Sequence, residues 1–350
     1  MKRNHKIFAG LIGAFLAVGL LSTSLISSNK TTEAEATSSS YWSSWISSNS
    51  SAISTGGSTL MSALKTKISS GTTKISYSGL WAAYKTSDIV PGYESSSDSS
   101  KKIWDMYGGI QYTYQSSGNG IDTGTYGGGY NREHSIPNSW WGATQDERYT
   151  DLVCLLPTDG KVNGVRSNNV FGVVSGTASS SYAMPQQTDK SGNIIQIAGT
   201  SSNNEYSKLG TGKTYASTSP GTVFEPADQY KGDFARIYMY FACRYSGDAT
   251  STTEGQKMFK TSYPYVTNYT LELLKLWHVS DPVSEKEINR NDAVESLQGN
   301  RNPFVDYPEW ANSIFGTEYS SSSSSETLSL DKTTASVTVG NTVTITATEN

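Results

Sequence analysis

The sequence contains few of the residues that build covalent cross-links or metal clusters. Its 350 residues include only two cysteines and three histidines. Two cysteines exclude a scaffold held by several disulfides and a zinc module with four cysteine ligands. Three histidines exclude a histidine-rich metal cage. Cys154 and Cys243 lie in apolar segments, so a disulfide between them and a pair of buried free thiols are both open.

Positive charge is also scarce. The chain has 27 lysines and arginines against 31 aspartates and glutamates, and without residues 1–36 the balance is 23 against 29, or −6. This excludes a protein coated with positive charge for binding nucleic acid, although it leaves room for a local basic cleft. The metalloprotease motif His-Glu-x-x-His and the hydrolase motif Gly-x-Ser-x-Gly are both absent from the sequence.

Residues 1–36 have the layout of a secretory signal peptide. Basic residues up to Lys6 precede an apolar run from Ile7 to Ile26, and Ala34-Glu35-Ala36 offers small residues for cleavage. The apolar run approaches the ~20 residues that span a bilayer, so an uncleaved anchor is the alternative. The cleavage motif and the glycine and serine content of the run favour a signal peptide. We therefore expect a secreted, extracellular protein that has no membrane contact after cleavage.

Composition divides the rest of the chain into four parts. Residues 37–57 are a serine-rich lead-in that we expect to be loose, and residues 58–316 form the main domain. Residues 317–326 contain an uninterrupted run of serines, which is typical of a flexible linker. Residues 327–350 form a tail with alternating apolar and polar positions.

The tail has the pattern of a β-hairpin. Leu328–Leu330, Ala335–Val339 and Val343–Thr346 alternate around Gly340-Asn341. The pattern resembles the opening strands of a bacterial group-2 Ig-like domain, although so short a segment is only part of such a sandwich. Contact of the tail with the cell wall or with another domain is the role that this resemblance implies.

Apolar spacing in the main domain predicts an α+β fold in which helices outnumber strands. Helices are expected at 58–70, 78–84, 234–245, 271–277 and 284–297. The last of these has the spacing of a capping box at Ser284 and a stop at Gly299. Strands are expected at 151–156, ended by Pro157, and at 170–174.

The first segment that suggests chemistry is Asn131–Pro137. Glu133 offers a hard oxygen ligand, and His134 has an unperturbed pKa of about 6.5, which suits a general base. Taken alone, an adjacent glutamate and histidine more often belong to a surface turn, here closed by Pro137.

The second such segment is Pro157–Asn168, which follows the predicted strand. If it is helical, Asn163, Arg166 and Ser167 lie three and four residues apart and share one face. That polar face is either turned toward a site or simply solvated.

Read together, these segments resemble the bacterial endonuclease I family, secreted non-specific nucleases of the His-Me finger, or ββα-metal, group. Asn-Arg-Glu-His-Ser-Ile-Pro-Asn-Ser-Trp at 131–140 is similar to that family's Arg-Glu-His box, and 151–168 is similar to its segment ending in Val-Asn-x-x-Arg-Ser-Asn. Val153 departs from the family, which often has histidine there. The resemblance spans residues 58–316, and its other segments are Lys102–Tyr107, Phe224–Pro226, Lys231–Arg236, Asn289–Asn291 and Gln298–Phe304.

The resemblance implies a ββα-metal core embedded among helices, with defined residue roles. His134 would be the general base, and Glu133 and Asn163 would bind one divalent metal. Mg²⁺ is the expected ion, with Mn²⁺ or Ca²⁺ as alternatives. Neighbours on a regular strand point to opposite faces, so Glu133 and His134 can serve one site only at a strand end or a bulge.

The resemblance also implies an arginine that holds the phosphate and a substrate that is a nucleic acid. Arg166 and Arg236 are the first candidates, with Arg132 and Arg148 behind them. The substrate would be DNA, RNA or both, with little base preference, and the products would carry 5′-phosphate and 3′-hydroxyl ends.

A secreted binding or adhesion module is the main alternative, and the serine-rich linker and the Ig-like tail support it. A catalytically inactive relative that still binds nucleic acid is an intermediate case. The ordered set of Glu133, His134 and Asn163 favours the nuclease, because binding alone does not require these residues.

Overall fold

The described helices and strands fall into two units, a main unit within Ser38–Tyr319 and a second unit that contains the strands of the tail. The computed structural model describes residues 40–316, 328–330 and 347–349. The helices are α1 (residues 40–48), α2 (Ser50–Thr55), α3 (Gly57–Ser69), α4 (Leu80–Ser87), α5 (Gly160–Arg166), α6 (Lys231–Tyr245), α7 (Thr253–Met258), α8 (Asn268–Ser280), α9 (Glu285–Gln298), α10 (Pro303–Asp306) and α11 (Glu309–Phe315). The strands are β1 (Lys102–Trp104), β2 (Gln111–Thr113), β3 (Tyr130–His134), β4 (Leu155–Asp159), β5 (Val170–Phe171), β6 (Ser180–Ala183), β7 (Gln187–Thr188), β8 (Ile194–Gln196), β9 (Tyr206–Thr211), β10 (Thr222–Glu225), β11 (Leu328–Leu330) and β12 (Ala347–Glu349).

Several sequence-based predictions concern residues that the structure does not describe. The predicted signal peptide (1–36), the linker (317–326) and most of the predicted hairpin in the tail lie outside the described residues. In the tail, β11 pairs with β12 in antiparallel orientation, and the Ig-like assignment stays a prediction. No helix among the described residues is both long enough and apolar enough to span a bilayer.

The predicted mixture of helices and strands is confirmed, and helices with strong local signals begin and end close to the predicted residues. In α9, Ser284 and Glu287 form the capping box. Gly299 ends this helix with φ of 85°, a left-handed conformation that glycine adopts without strain. Side-chain to backbone bonds therefore fix the start of this helix, and the Gly299 backbone N–H, which donates to the Glu295 carbonyl, fixes its end.

Helix α6 lies at the centre of the core. All of its residues from Lys231 to Arg244 are buried, and it packs against α3, α8 and α10. It begins three residues before the predicted start at Phe234, so Asp233 lies in its first turn rather than at its cap.

The prediction of a loose lead-in is wrong for the described part of residues 37–57, because α1 and α2 are helices. Trp42 is fully buried. Its indole Nε1 donates to Asp306 Oδ2 at 2.8 Å, and its ring contacts Trp45, Tyr307 and Trp310. The serine-rich helix is therefore anchored to the last helices of the domain through its aromatic residues.

The strands of the middle region form one four-stranded sheet and several two-stranded ribbons. The sheet has the order β5-β10-β9-β6, with β10 parallel to β5 and the other pairs antiparallel. The ribbon of β3 and β4 is antiparallel and is followed directly by α5. The two segments for which the sequence suggested chemistry thus form two antiparallel strands and a helix.

The predicted strand at 151–156 is displaced by several residues. Residues 152–154 form a turn in which Cys154 N and Leu155 N donate to the Asp151 carbonyl, and β4 begins at Leu155. Pro157 lies inside β4 opposite Arg132 instead of ending the strand. Proline fits here because β4 is an edge of a two-stranded ribbon.

Candidate active site

Strand β3 presents two different sets of side chains on its two faces. Because successive side chains alternate, Arg132 and His134 share one face, and Asn131 and Glu133 share the other. The pairing of Glu133 with Leu156 and of His134 with Leu155 places both residues at the end of the ribbon. The two candidate residues therefore lie at a strand end, where they can approach one site from two sides.

The start of helix α5 is fixed by two aspartates. Asp159 caps the helix, with its Oδ1 accepting from Val162 N at 2.8 Å. The backbone N–H of Asp159 donates to Asp105 Oδ1 at 2.8 Å, and both carboxylates are fully buried. The cap sets the helix phase that turns Asn163 and Arg166 toward β3.

Glu133 is buried, and two of its hydrogen bonds share one carboxylate oxygen. Its Oε1 accepts from the Tyr107 hydroxyl at 3.0 Å and from Arg166 Nη1 at 2.8 Å. Burial raises the pKa of Glu133 to about 7, against the opposing effect of the Arg166 cation. Its Oε2 takes part in neither of these two bonds.

Asn163 joins Glu133 from the neighbouring helix. A side-chain hydrogen bond from Asn163 reaches the Glu133 carboxylate, and Asn163 Nδ2 donates to Asn131 Oδ1 at 2.6 Å. The structure therefore brings together the two residues predicted to bind metal, and it adds Asn131 to the same face of β3.

His134 lies among aromatic rings on the other face. Its imidazole stacks near Tyr77 with ring centroids 6.0 Å apart, and it also contacts Trp141 and Tyr149. Its Nε2 lies 2.9 Å from the Tyr149 carbonyl oxygen, so Nε2 carries the proton and Nδ1 is the basic nitrogen. Burial lowers the pKa of His134 to about 4. No hydrogen bond among the described residues joins this ring to Glu133 or Asn163.

The two arginines placed first as phosphate ligands are both buried. Arg166 is 1% exposed and binds Glu133, the His134 carbonyl and the Ser135 carbonyl. Arg236 is 0% exposed and forms a two-pronged ion pair with Glu287, with its Nε on Oε1 and its Nη2 on Oε2. As placed, neither guanidinium has a face open to a phosphate.

The two other arginines lie nearer the surface. Arg148 forms ion pairs with Asp146 and Asp248. Arg132 lies with its guanidinium carbon 3.7 Å from the centroid of the Tyr77 ring, and its Nη1 donates to the Tyr77 carbonyl. Within the described residues, Arg132 is the one member of these four arginines that has no carboxylate partner.

Comparison with known proteins identifies the family of the chain. The family model Endonuclease I matches residues 56–194 and 190–309. The chain belongs to the endonuclease I family. An extracellular ribonuclease of Bacillus amyloliquefaciens is 34% identical over 263 residues, which cover 74% of each chain. An extracellular ribonuclease of Bacillus subtilis (strain 168) is 32% identical over 253 residues, which cover 71% of this chain and 72% of that protein.

Membership of the endonuclease I family confirms three predictions. The resemblance seen in the motifs is real, the protein is a nuclease and hence a hydrolase, and it is extracellular. Members of this family generally depend on a divalent metal.

The sequence did not identify several residues that shape the candidate site. Tyr107, Asp105, Asp159 and Asn131 lie within or beside the family segments, but no role was assigned to them. Asp105 accepts backbone N–H bonds from Tyr107 and Gly108 as well as from Asp159. An aspartate shortly before a pair of glycines, here Gly108-Gly109, is a turn signal that could have suggested this anchor.

The donor set fits a hard divalent cation. Glu133 supplies a carboxylate oxygen, and the side-chain amides of Asn163 and Asn131, which each carry an oxygen, lie beside it. Mg²⁺ prefers such oxygen ligands and retains several waters, so one carboxylate and an amide suffice. No group of three or more His, Cys, Asp or Glu side chains within the described ranges could hold a metal. A site that consists of one carboxylate, amides and water does not need such a group.

Proposed function

We propose that the protein is a metal-dependent, non-specific endonuclease of the His-Me finger type that hydrolyses RNA and DNA outside the cell. One observation carries the proposal. Glu133 and Asn163 meet on one side of β3, while the neighbouring His134 bonds the Tyr149 carbonyl through Nε2, which leaves Nδ1 outside that bond. The order of β3, β4 and α5 also supports a ββα-metal core.

His134 acts as the general base. Because burial lowers the pKa of His134 to about 4, the imidazole is neutral at neutral pH and can accept a proton. The Tyr149 carbonyl holds the Nε2 proton, so Nδ1 takes the proton of the attacking water. The rings of Tyr77 and Trp141 keep the imidazole oriented.

Glu133 and Asn163 hold one divalent cation, with Mg²⁺ as the expected ion and Mn²⁺ or Ca²⁺ as alternatives. When bound, this cation neutralises charge on the phosphate and on the departing 3′ oxygen, which leaves 5′-phosphate and 3′-hydroxyl ends. Arg166 holds the end of β3 in place, because it bonds to Glu133 and to two successive backbone carbonyls.

Arg132 holds the phosphate. It shares a face of β3 with His134, and Tyr77 contacts both side chains. Its guanidinium donates one hydrogen bond to a backbone carbonyl, which leaves N–H groups for phosphate oxygens. The other three candidate arginines are engaged with carboxylates.

RNA is the first substrate to test, because the two curated relatives are named ribonucleases. DNA is the second, since phosphate and metal contacts are common to both polymers. We expect little base preference, because the proposed contacts involve the phosphate and not the base edges.

The test is cleavage of RNA and of DNA by the purified protein, first with EDTA and then with Mg²⁺, Mn²⁺ or Ca²⁺ added back. Cleavage should stop with EDTA and return with the metal. The variant Arg132→Ala should raise KM for the polymer more than Arg148→Ala does. Equal effects of the two variants would remove Arg132 from the proposal.

Other results would support a different function. Cleavage that persists in EDTA would exclude the metal mechanism. A folded protein that binds RNA without cleaving it would be an inactive relative. A folded protein that neither binds nor cleaves would favour the adhesion module.

A further inference from the structure

Tyr107 lies in the site, but the catalytic scheme gives it no role. Its side chain is fully buried, and its ring packs against Phe171, Phe224 and Phe234. Its backbone N–H donates to Asp105 Oδ1 at 2.8 Å. The hydroxyl is therefore held at a fixed point, where it donates to Glu133.

Tyr107 and Arg166 converge on the same atom. Both donate to Glu133 Oε1, at 3.0 and 2.8 Å, respectively. A carboxylate oxygen has two lone-pair positions in its plane, so these two donors saturate Oε1. Arg166 is itself fixed by the carbonyls of His134 and Ser135, which prevents it from leaving Oε1 at low cost.

This saturation limits how Glu133 can bind a cation. With Oε1 occupied, the carboxylate can offer Oε2 alone and binds in a monodentate manner. Mg²⁺ and Mn²⁺ form small octahedral shells that suit a monodentate carboxylate and retained waters. Ca²⁺ takes six to eight ligands and often uses both oxygens of one carboxylate, so the loss of Oε1 disfavours Ca²⁺ more.

We propose that Tyr107, together with Arg166, makes Glu133 a one-oxygen ligand and thereby selects Mg²⁺ and Mn²⁺ over Ca²⁺. Tyr107 is thus a positioning residue that determines metal selectivity. This inference rests on the proposed metal site at Glu133 and Asn163, and it adds to that site a residue with no contact to the cation.

The test compares Tyr107→Phe with Tyr240→Phe by calorimetric titration of Mg²⁺ and Ca²⁺ in the absence of nucleic acid. Tyr107→Phe keeps the ring and frees one position on Oε1, so the ratio of Ca²⁺ to Mg²⁺ affinity should rise about tenfold. Tyr240 is a matched control, because it is equally buried and its hydroxyl donates to a different buried carboxylate, that of Asp151. Its variant should leave the ratio unchanged.

The outcomes separate this inference from the proposed function. If the wild-type protein binds Mg²⁺ and Tyr107→Phe leaves the affinity ratio unchanged, the inference is overturned and the metal site stands. If the wild-type protein binds neither ion, the metal site itself fails. If Tyr107→Phe does not fold, the infrared carboxylate bands of the wild-type protein decide. Monodentate splitting with bound Mg²⁺ supports the inference, and bidentate splitting overturns it.

Discussion

The protein contains two buried clusters built from the same three residue types. Each cluster joins an arginine, a glutamate and a histidine, and burial lowers the pKa of both histidines to about 4. The site cluster consists of Arg166, Glu133 and His134, and the core cluster consists of Arg236, Glu287 and His278.

The clusters differ in how the arginine holds its two partners. In the core cluster, Arg236 pairs with both oxygens of Glu287. The Nδ1 of His278 accepts from Arg236 Nη1, and the same ring bonds the Pro308 backbone. In the site cluster, Arg166 bonds only Oε1 of Glu133 and reaches the His134 carbonyl instead of its ring. Burial and a shifted pKa are therefore common to both clusters, and the bonding of the carboxylate and the imidazole distinguishes them.

The largest expected effect separates the two histidines by activity. His134→Ala should lower kcat by about 10³, because the general base is lost, with little change in the thermal unfolding temperature. His278→Ala should lower that temperature and keep kcat within a few-fold of wild type. Cleavage rates and circular dichroism melts measure both. Near-wild-type activity of His134→Ala would remove His134 from the mechanism.

The second effect separates the two glutamates by metal binding. Glu287→Gln leaves Arg236 buried without its charge partner, so the free energy of unfolding should fall by about 3–5 kcal/mol. Glu133→Gln should also destabilise the fold, but it alone should abolish calorimetric Mg²⁺ binding. Urea unfolding and metal titration provide the two measurements. Mg²⁺ affinity that survives Glu133→Gln would refute its role as a ligand.

The smallest expected effect concerns the loss of stability in acid, to which the histidines of both clusters contribute. The pKa of His278 is about 4 in the folded state and about 6.5 in the unfolded state. As pH falls, the unfolded state therefore binds a proton at a higher pH than the folded state does. Stability is therefore lost as pH falls from 6.5 to 4. His278→Gln removes the titrating group and should reduce this loss by about 1–2 kcal/mol. The effect is modest because solvent partly screens the half-buried ring.

Urea unfolding at several pH values measures that loss, and His134→Gln should give a similar reduction. A variant with the same acid dependence as wild type would show that the histidine it replaces does not contribute.

The local parts of this structure could be predicted from sequence, and the long-range parts could not. The capping box of α9 and the spacing that groups Asn163 with Arg166 depend on residues within one turn. The role of Tyr107 depends on a contact with Glu133, 26 positions away. No short-range pattern contains such a contact.

The burial of the arginines also depends on long-range contacts that the sequence did not predict. A charged residue on a predicted helix is expected to face solvent. Arg166 is buried because a carboxylate and two carbonyls from another segment compensate its charge. Composition likewise failed to predict α1, because its serines suggest disorder. The residues that Trp42 contacts lie near position 310 and are therefore distant in sequence.

The contact between Trp42 and the last helices has a consequence for how the enzyme matures. The first helix of the domain can bury its indole only after α10 and α11 have been made. An exported chain therefore completes the hydrophobic interior of this domain only when α10 and α11 have been translocated. Full resistance to proteolysis should consequently appear late, in a single step that joins the beginning of the domain to its end.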